Sequence, residues 1–359
     1  MRLLITLDFP PERGGIQRHL GGIVAHTFGK DDVVLVGCSR VPRVQRKAPP
    51  DFPCTVTYVT FVFSPWNKKW SLIPLLFRCV WLRLRQGPSL SLECGNVYAA
   101  VVPWLVSFVL PVRYCLYAHG TEINGMKTRT PASAVLRSVS RRACRIIANS
   151  LYTSSLVNDM FSNAKIDVVS PKIELVPPLS QISRTSEGDI GTLHILCVAR
   201  LVAHKGLDVL LEALAMLPKA TAWELVIAGQ GPLLDRLREQ SNTLGTGRRV
   251  RFKTGLSDTE LEQEYHWASL FVLPSIPKHG VEGFGIVLLE AMAHRIPIIA
   301  SATGGIPEVL AKGECGVLVP PGDPRALSDA ILRIASDATL RNRLVSKGYE
   351  RLLNHYVWR

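Results

Sequence analysis

Residues 270–293 read LFVLPSIPKHGVEGFGIVLLEAMA and run from an apolar segment through a glycine-rich loop into a second apolar segment. Residues 270–273 are typical of a buried strand, and a helix is expected to begin near residues 284–287. Gly283 and Gly285 allow a ligand to approach the backbone, and the amides at the helix start can hold phosphate oxygens. The stretch therefore predicts a strand, a loop and a helix that bind a diphosphate.

Two glutamates flank this predicted diphosphate site. Glu282 precedes the helix and Glu290 lies two turns inside it, so eight residues at ~1.5 Å each separate them by on the order of 12 Å. A sugar, a diphosphate and a ribose together cover a similar distance. Because phosphate repels carboxylates, Glu282 fits better as an acceptor for sugar hydroxyls and Glu290 for ribose hydroxyls. Taken alone, a helical glutamate such as Glu290 is more often a solvated charge, although its apolar neighbours Leu288, Leu289 and Met292 indicate burial.

Short apolar runs alternate with helical patterns along the whole chain, which is typical of βαβ units and parallel sheets. The first half predicts strands at 3–5, 33–36, 114–117 and 145–148, with helices at 16–28 and 136–144. The second half predicts strands at 193–198, 225–228, 250–252, 270–273 and 297–300, with a helix at 206–216. The polar residues 180–191 indicate a linker. We therefore expect two facing, doubly wound α/β domains, residues 1–180 and 192–359, with a cleft between them.

In open α/β sheets, ligands bind beyond the carboxyl ends of the strands. Glycine, histidine and basic residues directly follow predicted strands: Gly14, Gly15, His119, Arg200, Lys205, Gly229 and Gly231. Arg200 and Lys205 can bind a diphosphate and stabilise it as a leaving group without a metal. We expect all of these residues to line one cleft. Each alone also fits a surface charge, a turn or a core histidine.

The composition is that of an enzyme-sized globular protein of 359 residues, 47% hydrophobic and 20% charged, which excludes a disordered chain. Residues 1–180 hold 22 of the 42 Lys and Arg but 10 of the 29 Asp and Glu, so they carry nearly all of the net charge of +13. Such a surface favours nucleic acid, a phosphorylated substrate or a membrane. The eight cysteines lack metal-site spacing and are expected to be reduced core thiols.

Tryptophan and basic residues lie together in the first half, a combination typical of a membrane interface. The segment 66–70 reads WNKKW, and the apolar segment 72–84 contains Arg78 and Arg83, with Arg85 just beyond. Arg137, Arg141 and Arg145 are four residues apart and predict one basic helix face. We expect this domain to contact an anionic membrane; the alternative is a solvated basic face over an ordinary core.

The uncharged segment 97–112 is too short for a membrane span and predicts a buried helix. The apolar run at the N-terminus is too short for a signal-peptide core. We therefore expect a cytoplasmic protein, peripheral on the inner face of the cell membrane.

Residues 282–293 resemble the E-x7-E signature of retaining glycosyltransferases of family 4, which have the GT-B fold of two facing Rossmann-like domains. The likeness extends to Gly14-Gly15 and to residues 118–121, 200–206, 229–232 and 304–308, and so covers nearly the whole chain. It implies transfer of a hexose from a nucleoside diphosphate sugar with retention of the anomeric configuration, without metal or cofactor. Together with the expected membrane contact of the first domain, it indicates a glycan or a polyprenyl- or lipid-linked acceptor in cell-surface polysaccharide or glycolipid synthesis.

By this resemblance, Arg200 and Lys205 bind the diphosphate, Glu290 the ribose and Glu282 the donor-sugar hydroxyls. The implied backbone contacts to sugar and phosphates come from Gly283, Phe284, Gly285, Ile286 and Val287. The remaining implied residues are His119 near the donor sugar, Gly14 and Gly15 near the diphosphate and acceptor, and Gly229 and Gly231 in donor binding. Retention without an evident nucleophile fits a front-face displacement in which the leaving phosphate accepts the acceptor's proton.

The chain departs from the family pattern at Pro177-Pro178-Leu179 and ends at Arg359, where members commonly begin a helix that crosses back to the first domain. We expect either that this helix is missing or that the protein is shortened, which would weaken domain closure. A nicotinamide-dependent enzyme is disfavoured because no G-x-G-x-x-G follows the first strand. Nucleic-acid binding would explain the charge but not the donor residues. A non-catalytic relative that binds a sugar nucleotide and acts through a protein or membrane partner is the main alternative.

Overall fold

The computed structural model describes residues 1–38, 52–60, 71–128, 130–175, 191–278 and 280–358. The chain divides into two units, Met1–Pro171 and Lys172–Arg359. Residues 66–70 and linker residues 180–190, both singled out from the sequence, lie outside the described residues. Across the described ranges, no helix combines the length and apolar character that crossing a membrane requires.

The first unit is built on a parallel sheet. Its strands are β1 (Arg2–Thr6), β2 (Val33–Cys38), β3 (Thr55–Thr60), β4 (Ser91–Cys94), β5 (Tyr114–Ala118), β6 (Arg145–Ala148) and β7 (Ile166–Val168). Its helices are α1 (Gly15–Thr27), α2 (Leu72–Gln86), α3 (Val101–Val106), α4 (Thr121–Gly125), α5 (Pro131–Arg142) and α6 (Leu151–Met160). The strand order is β3-β2-β1-β4-β5-β6-β7, so β1, the first strand in sequence, lies inside the sheet.

Two predictions for the first unit are wrong in part. The segment 97–112 forms only the six-residue helix α3, after which Phe108 and Val109 are exposed rather than buried. Helix α5 ends at Arg142, so Arg145 lies on β6 and does not extend a basic helix face. Arg137 is only partly exposed because its guanidinium donates to the carbonyl of Met126 over 2.6 Å.

The second unit is also built on a parallel sheet. Its strands are β8 (Leu193–Val198), β9 (Trp223–Ala228), β10 (Val250–Lys253), β11 (Leu270–Leu273), β12 (Ile298–Ser301) and β13 (Val317–Val319). Its helices are α7 (Leu207–Ala215), α8 (Leu234–Thr243), α9 (Asp258–Trp267), α10 (Ile286–Ala293), α11 (Ile306–Val309), α12 (Pro324–Ser336) and α13 (Ala338–His355). The strand order is β10-β9-β8-β11-β12-β13.

Both faces of the second sheet are covered by helices. Ile195 on β8 and Ile227 on β9 belong to one apolar cluster, whereas their neighbours Leu196 and Val226 belong to the cluster on the opposite face. Because successive side chains of a strand point to opposite faces, a strand buried on both sides is apolar throughout. This burial explains why uninterrupted apolar runs predicted the central strands.

Candidate functional site

The candidate site of the second unit lies where the strand order reverses. β8 lies between β9 and β11, so the connections that follow β8 and β11 leave toward opposite sides of the sheet. Such a point opens a crevice beyond the carboxyl ends of the two strands, where α/β proteins bind ligands. Arg200 and Lys205 follow β8, while Ser275 and Glu282 follow β11. The topology therefore brings these four residues to one edge of one sheet.

Lys205 and Glu282 form an ion pair at this edge, with 13% and 12% of their side chains exposed. The Lys205 ammonium donates to Oε2 of Glu282, and the Ser275 hydroxyl donates to the same oxygen over 3.2 Å. Burial alone would raise the pKa of Glu282, but the charge of Lys205 and the two hydrogen bonds outweigh it, so the pKa lies below its ordinary value. Glu282 is therefore held as a carboxylate, which can accept hydrogen bonds from hydroxyl groups.

Arg200 contributes an exposed positive charge to the same edge. Its guanidinium has no carboxylate partner within the described ranges. Burial, Lys205 and Arg200 lower the pKa of His204, whereas Glu282 opposes them. Arg200 and Lys205 therefore both act on His204, and both lie in the loop after β8; their contact with a diphosphate stays a prediction.

Helix α10 begins four residues after Glu282. Its N-cap, Gly285, has a φ of 91°, in the left-handed region that favours glycine. The backbone amides of Ile286 and Val287 donate to no acceptor in the part of the chain that the structure describes. Free amides in the first turn of a helix, aligned with its dipole, bind anions. The helix start thus has the geometry expected for holding phosphate oxygens.

The glycine pair Gly304-Gly305 supports the backbone of this loop. The Gly305 amide donates to the carbonyl oxygen of Glu282 over 2.9 Å. A Cβ atom on Gly304 would lie 2.1 Å from that oxygen, and one on Gly305 would lie 2.3 Å from the carbonyl oxygen of Gly283. Glycine is required here because the two backbone segments pack in direct contact.

Glu290 is buried, with 8% of the residue exposed, so the alternative of a solvated charge is wrong. The Tyr265 hydroxyl of α9 donates to Oε2 of Glu290 over 2.6 Å. The Tyr265 ring in turn stacks on His294, with the ring centroids 4.7 Å apart. The position of Glu290 therefore depends on α9 as well as on its own helix; its role toward ribose stays a prediction.

Gly229 and Gly231 bring the loops after β8 and β9 together. A Cβ atom on Gly229 would lie 1.9 Å from the carbonyl oxygen of Ala199, and one on Gly231 would lie 2.3 Å from that of Leu201. The Gly229 amide already donates to the carbonyl of Lys253 over 2.9 Å. This close approach explains both glycines structurally, and their contact with a donor stays a prediction.

The first unit has its own reversal point, between β1 and β4. Gly14 and Gly15 lie beyond β1 at the start of α1. His119, beyond β5, is buried, and its Nε2 lies 2.8 Å from the carbonyl oxygen of Gly95. A carbonyl only accepts, so Nε2 is the donor in this bond. His119 therefore has a structural contact, and its predicted contact with the donor sugar remains a prediction.

Sequence reasoning missed several polar residues at the two edges. Asn96 donates to Oδ2 of Asp8 over 2.8 Å, which joins the loops after β4 and β1. Ser275 lies two residues after β11, a position that could have been recognised. Tyr265 lies 25 residues before Glu290 on another helix, so no local spacing connects the two.

Comparison with protein families identifies the domain type of the second unit. Residues 184–351 match the family described as Glycosyl transferases group 1, and this range contains Arg200, Lys205, Glu282 and Glu290. The second unit is a glycosyl transferases group 1 domain, and the chain is a glycosyltransferase. The enzyme class predicted from the sequence is thereby confirmed.

The glycosyltransferase has relatives of similar length. It is 27% identical to the GDP-mannose-dependent alpha-(1-6)-phosphatidylinositol monomannoside mannosyltransferase of Mycolicibacterium smegmatis, over 99% of this chain and 95% of the relative. It is 37% identical to the phosphatidyl-myo-inositol mannosyltransferase of Mycobacterium leprae, over 43% of this chain and 40% of the relative.

Solved structures agree on the fold of the glycosyltransferase. Sucrose-phosphate synthase of Thermosynechococcus elongatus matches with a TM-score of 0.80 at 19% identity, over 99% of this chain and 95% of its own. The Anabaena protein HepE, in complex with UDP and glucose, matches with a TM-score of 0.80 at 20% identity, over 99% of this chain and 96% of its own. The GT-B fold, with two Rossmann-like domains, is thus confirmed. That both edges line one cleft stays a prediction.

Proposed function

We propose that this glycosyltransferase transfers mannose from GDP-mannose to a phosphatidylinositol-type glycolipid, with retention of the anomeric configuration. The choice of donor and acceptor rests on the name of the Mycolicibacterium relative, which aligns with 99% of the chain. The observation that carries the proposal is the edge of the second sheet, where Arg200, the Lys205–Glu282 pair and the start of α10 lie together.

The proposed reaction is a front-face displacement. The bond between the sugar's anomeric carbon and the diphosphate oxygen breaks, and the acceptor oxygen forms its bond on the same face. The departing phosphate oxygen takes the acceptor's proton, so no enzyme base is needed. Arg200, Lys205 and the α10 amides stabilise the charge that develops on the diphosphate. Glu282 accepts from donor-sugar hydroxyls and Glu290 from the ribose, without metal or cofactor.

The test incubates the purified chain with radiolabelled GDP-mannose, or with UDP-glucose, and phosphatidylinositol mannosides. We expect labelled lipid from GDP-mannose with the anomeric configuration retained, as determined by NMR. Glu282→Gln should lower the rate by on the order of 100-fold, the magnitude typical for loss of one positioned transition-state contact. The control Glu224→Gln removes an exposed glutamate paired with Arg251 and should keep the wild-type rate. Nucleotide binding without transfer to any acceptor would favour the non-catalytic alternative.

We also propose that the first unit docks on the inner face of the cell membrane through an apolar surface of α2 and α3, here called the docking face. Along α2, the exposed side chains Ile73, Phe77, Trp81 and Leu84 recur every three or four residues and so lie along one side of the helix. Phe77 is 70% and Trp81 55% exposed. Helix α3 packs on α2 and leads to the exposed Phe108 and Val109. A patch across two neighbouring helices indicates an interaction surface.

Arginines border the docking face. The Arg85 guanidinium lies 5.2 Å from the Trp81 ring centroid, and the Arg142 guanidinium of α5 lies 4.8 Å from that of Phe108. Arg78 is exposed on α2. Aromatic side chains beside arginines suit an anionic bilayer, where rings enter the interface and guanidinium groups meet lipid headgroups. A lipid-linked acceptor would be present at that surface.

Vesicle flotation at low salt tests the docking face. We expect binding to vesicles that contain phosphatidylglycerol but not to neutral phosphatidylcholine vesicles. Each arginine near an anionic surface contributes about 1 kcal/mol, so replacing Arg78 and Arg85 by Ser should weaken binding roughly 30-fold. Phe77→Ser/Trp81→Ser should also weaken it, whereas Met216→Ser, an exposed apolar residue of the second unit, should not. Unchanged binding of both double variants would remove this assignment.

A further inference from the structure

A group of metal-ligating side chains lies next to Glu290. Glu262 and His266 are one helical turn apart on α9, and His294 is the C-cap of α10. Oε1 of Glu262 lies 2.7 Å from Nε2 of His294 and 3.3 Å from Nε2 of His266. One possible ligand atom from each residue lies within 4.8 Å of the other two. Two helices thus direct three metal-binding groups toward one point.

The contacts of His294 direct its second ring nitrogen toward the Glu262 carboxylate. Its Nδ1 lies 2.8 Å from the carbonyl oxygen of Glu290, which can only accept, so Nδ1 carries a proton. In a neutral imidazole Nε2 is then an acceptor, yet it faces a carboxylate oxygen 2.7 Å away. Two acceptors at this distance require a bridging proton, on the ring or on the carboxyl group, or a metal ion.

The ligand set and its spacing fit zinc. Two histidine nitrogens and one glutamate oxygen form a known type of zinc site, in which the fourth position holds water. With metal–ligand bonds of about 2.1 Å, tetrahedral ligand atoms lie about 3.4 Å apart. The Glu262–His266 separation of 3.3 Å matches this value, whereas the Glu262–His294 separation of 2.7 Å must widen when the ion binds. The bond from Nδ1 of His294 to a backbone carbonyl is the kind of outer contact that orients zinc-binding histidines.

We propose that Glu262, His266 and His294 bind a zinc ion that links α9 to α10. The ion has no part in the transfer reaction, and the site is independent of the proposed donor and acceptor. Its effect reaches Glu290 by two routes: the Glu290 carbonyl accepts from His294, and the Glu290 carboxyl group accepts from Tyr265, the neighbour of His266. Zinc therefore fixes the position of Glu290 and stabilises the second unit.

The experiment uses the full chain with any affinity tag removed, treated with a chelator and then titrated with ZnCl2. We expect calorimetry to show one zinc ion bound, and its affinity to fall about tenfold or more in Glu262→Gln and in His266→Gln. Zinc should raise the thermal midpoint of the wild type but not of these variants. Mg²⁺ prefers oxygen ligands and should leave the midpoint unchanged. The control His355→Gln removes an exposed histidine and should bind zinc like the wild type.

Thiols are the main competing zinc ligands, since the sulfur atoms of Cys115 and Cys144 in the first unit lie 3.9 Å apart. If Cys115→Ser/Cys144→Ser retains the zinc ion, and Co²⁺ binds without a thiolate charge-transfer band, the proposal is supported. Equal zinc binding by wild type and Glu262→Gln would overturn it. Absence of zinc binding would also overturn it. Without metal, each variant must have the same thermal midpoint of unfolding as the wild type. A loss of zinc binding can then be assigned to the missing ligand and not to a folding defect.

Discussion

The hydroxyl group of Tyr265 positions Glu290 in the candidate site of the second unit. It donates to Glu290 over 2.6 Å, and both residues are buried. A buried acceptor that loses its partner has no water to replace it. Tyr265 is therefore a positioning residue: it acts through Glu290.

We expect Tyr265→Phe to lower the free energy of unfolding by about 1–3 kcal/mol, because the buried Glu290 carboxyl group loses this hydrogen bond. If Glu290 binds ribose, the Kd for GDP and for UDP should rise together. Urea denaturation and calorimetry measure the two effects. The control Tyr349→Phe, at a ring that packs under Arg295, should leave nucleotide affinity unchanged. A Tyr265→Phe variant with wild-type affinity for both nucleotides would separate Glu290 from ribose binding.

The Lys205–Glu282 pair makes stability depend on pH. We expect Lys205→Met to lower the free energy of unfolding by about 3 kcal/mol at pH 7, because it leaves a mostly buried carboxylate without its cation. The folded-state pKa of Glu282 lies below the ordinary value of 4.5, so the pair's contribution is present above pH 4.5 and is lost as pH falls through the folded-state pKa. The difference in the free energy of unfolding between variant and wild type should therefore be smaller at pH 4 than at pH 7.

Urea denaturation at the two pH values measures this difference. The double variant Lys205→Met/Glu282→Gln removes both charges and should recover part of the stability at pH 7. A difference that increases toward acid would show that the pair does not hold Glu282 in its charged form.

At the scale of elements, the loop after β12 acts as a support for the loop that precedes α10. Gly304 has a φ of 60° and lies against the carbonyl of Glu282. Any side chain at this position must push the two loops apart. The position of Glu282 thus depends on Gly304, which has no side chain with which to contact a ligand.

We expect Gly304→Ala to destabilise the protein and to weaken GDP-mannose binding, since the added Cβ displaces the Glu282 backbone. Gly255→Ala is the matched control: Gly255 has a φ of 69° but no atom lies within 4 Å of its added Cβ. It should cost only the backbone strain of about 1–2 kcal/mol and leave donor binding intact. Thermal unfolding and calorimetry give both quantities; equal effects of the two substitutions would contradict a supporting role for Gly304.

The elements that sequence reasoning found and missed differ in their surroundings. β8 and β11 are apolar throughout because both faces are buried. β4 was missed because it contains Glu93, which is buried only because Arg2 pairs with it over 2.7 Å and the Tyr117 hydroxyl donates to it over 3.0 Å. β3, at the sheet edge, alternates threonine with larger residues and has no continuous apolar run.

The candidate site likewise contains residues that the sequence groups together and contacts that it does not predict. Glu282 and the glycines of the α10 loop lie in one continuous stretch, so the sequence placed them together. Lys205 was assigned to a phosphate, but its direct contact is Glu282, 77 residues away. Such contacts follow from the strand order, which the sequence pattern alone leaves open.

At the scale of the whole molecule, each unit has its own sheet and its own buried apolar clusters. A ligand that binds only the folded form of one unit stabilises that unit. The proposed nucleotide contacts all lie in the second unit apart from Gly14, Gly15 and His119. Nucleotide binding should therefore affect the two units to different extents.

Hydrogen exchange with GDP measures this difference along the chain. We expect slower exchange for amides of residues 284–289, where the α10 start would hold the phosphates, and smaller changes in β2 and β3. A Glu290→Ala variant, which keeps the α10 amides but lacks the ribose acceptor, should need more GDP for the same protection. Protection confined to the first unit would contradict the site described here.

The internal position of β1 has a consequence for synthesis of the protein on the ribosome. β1 pairs with β2 on one side and with β4 on the other, so its second partner is complete only at Cys94. Until that residue emerges, one side of β1, which contains the buried residues 3–5, is an open edge, and such an edge favours pairing with other chains. We therefore expect the nascent chain to be most prone to pairing with other chains during roughly the first hundred residues of translation, before β4 covers the open side of β1.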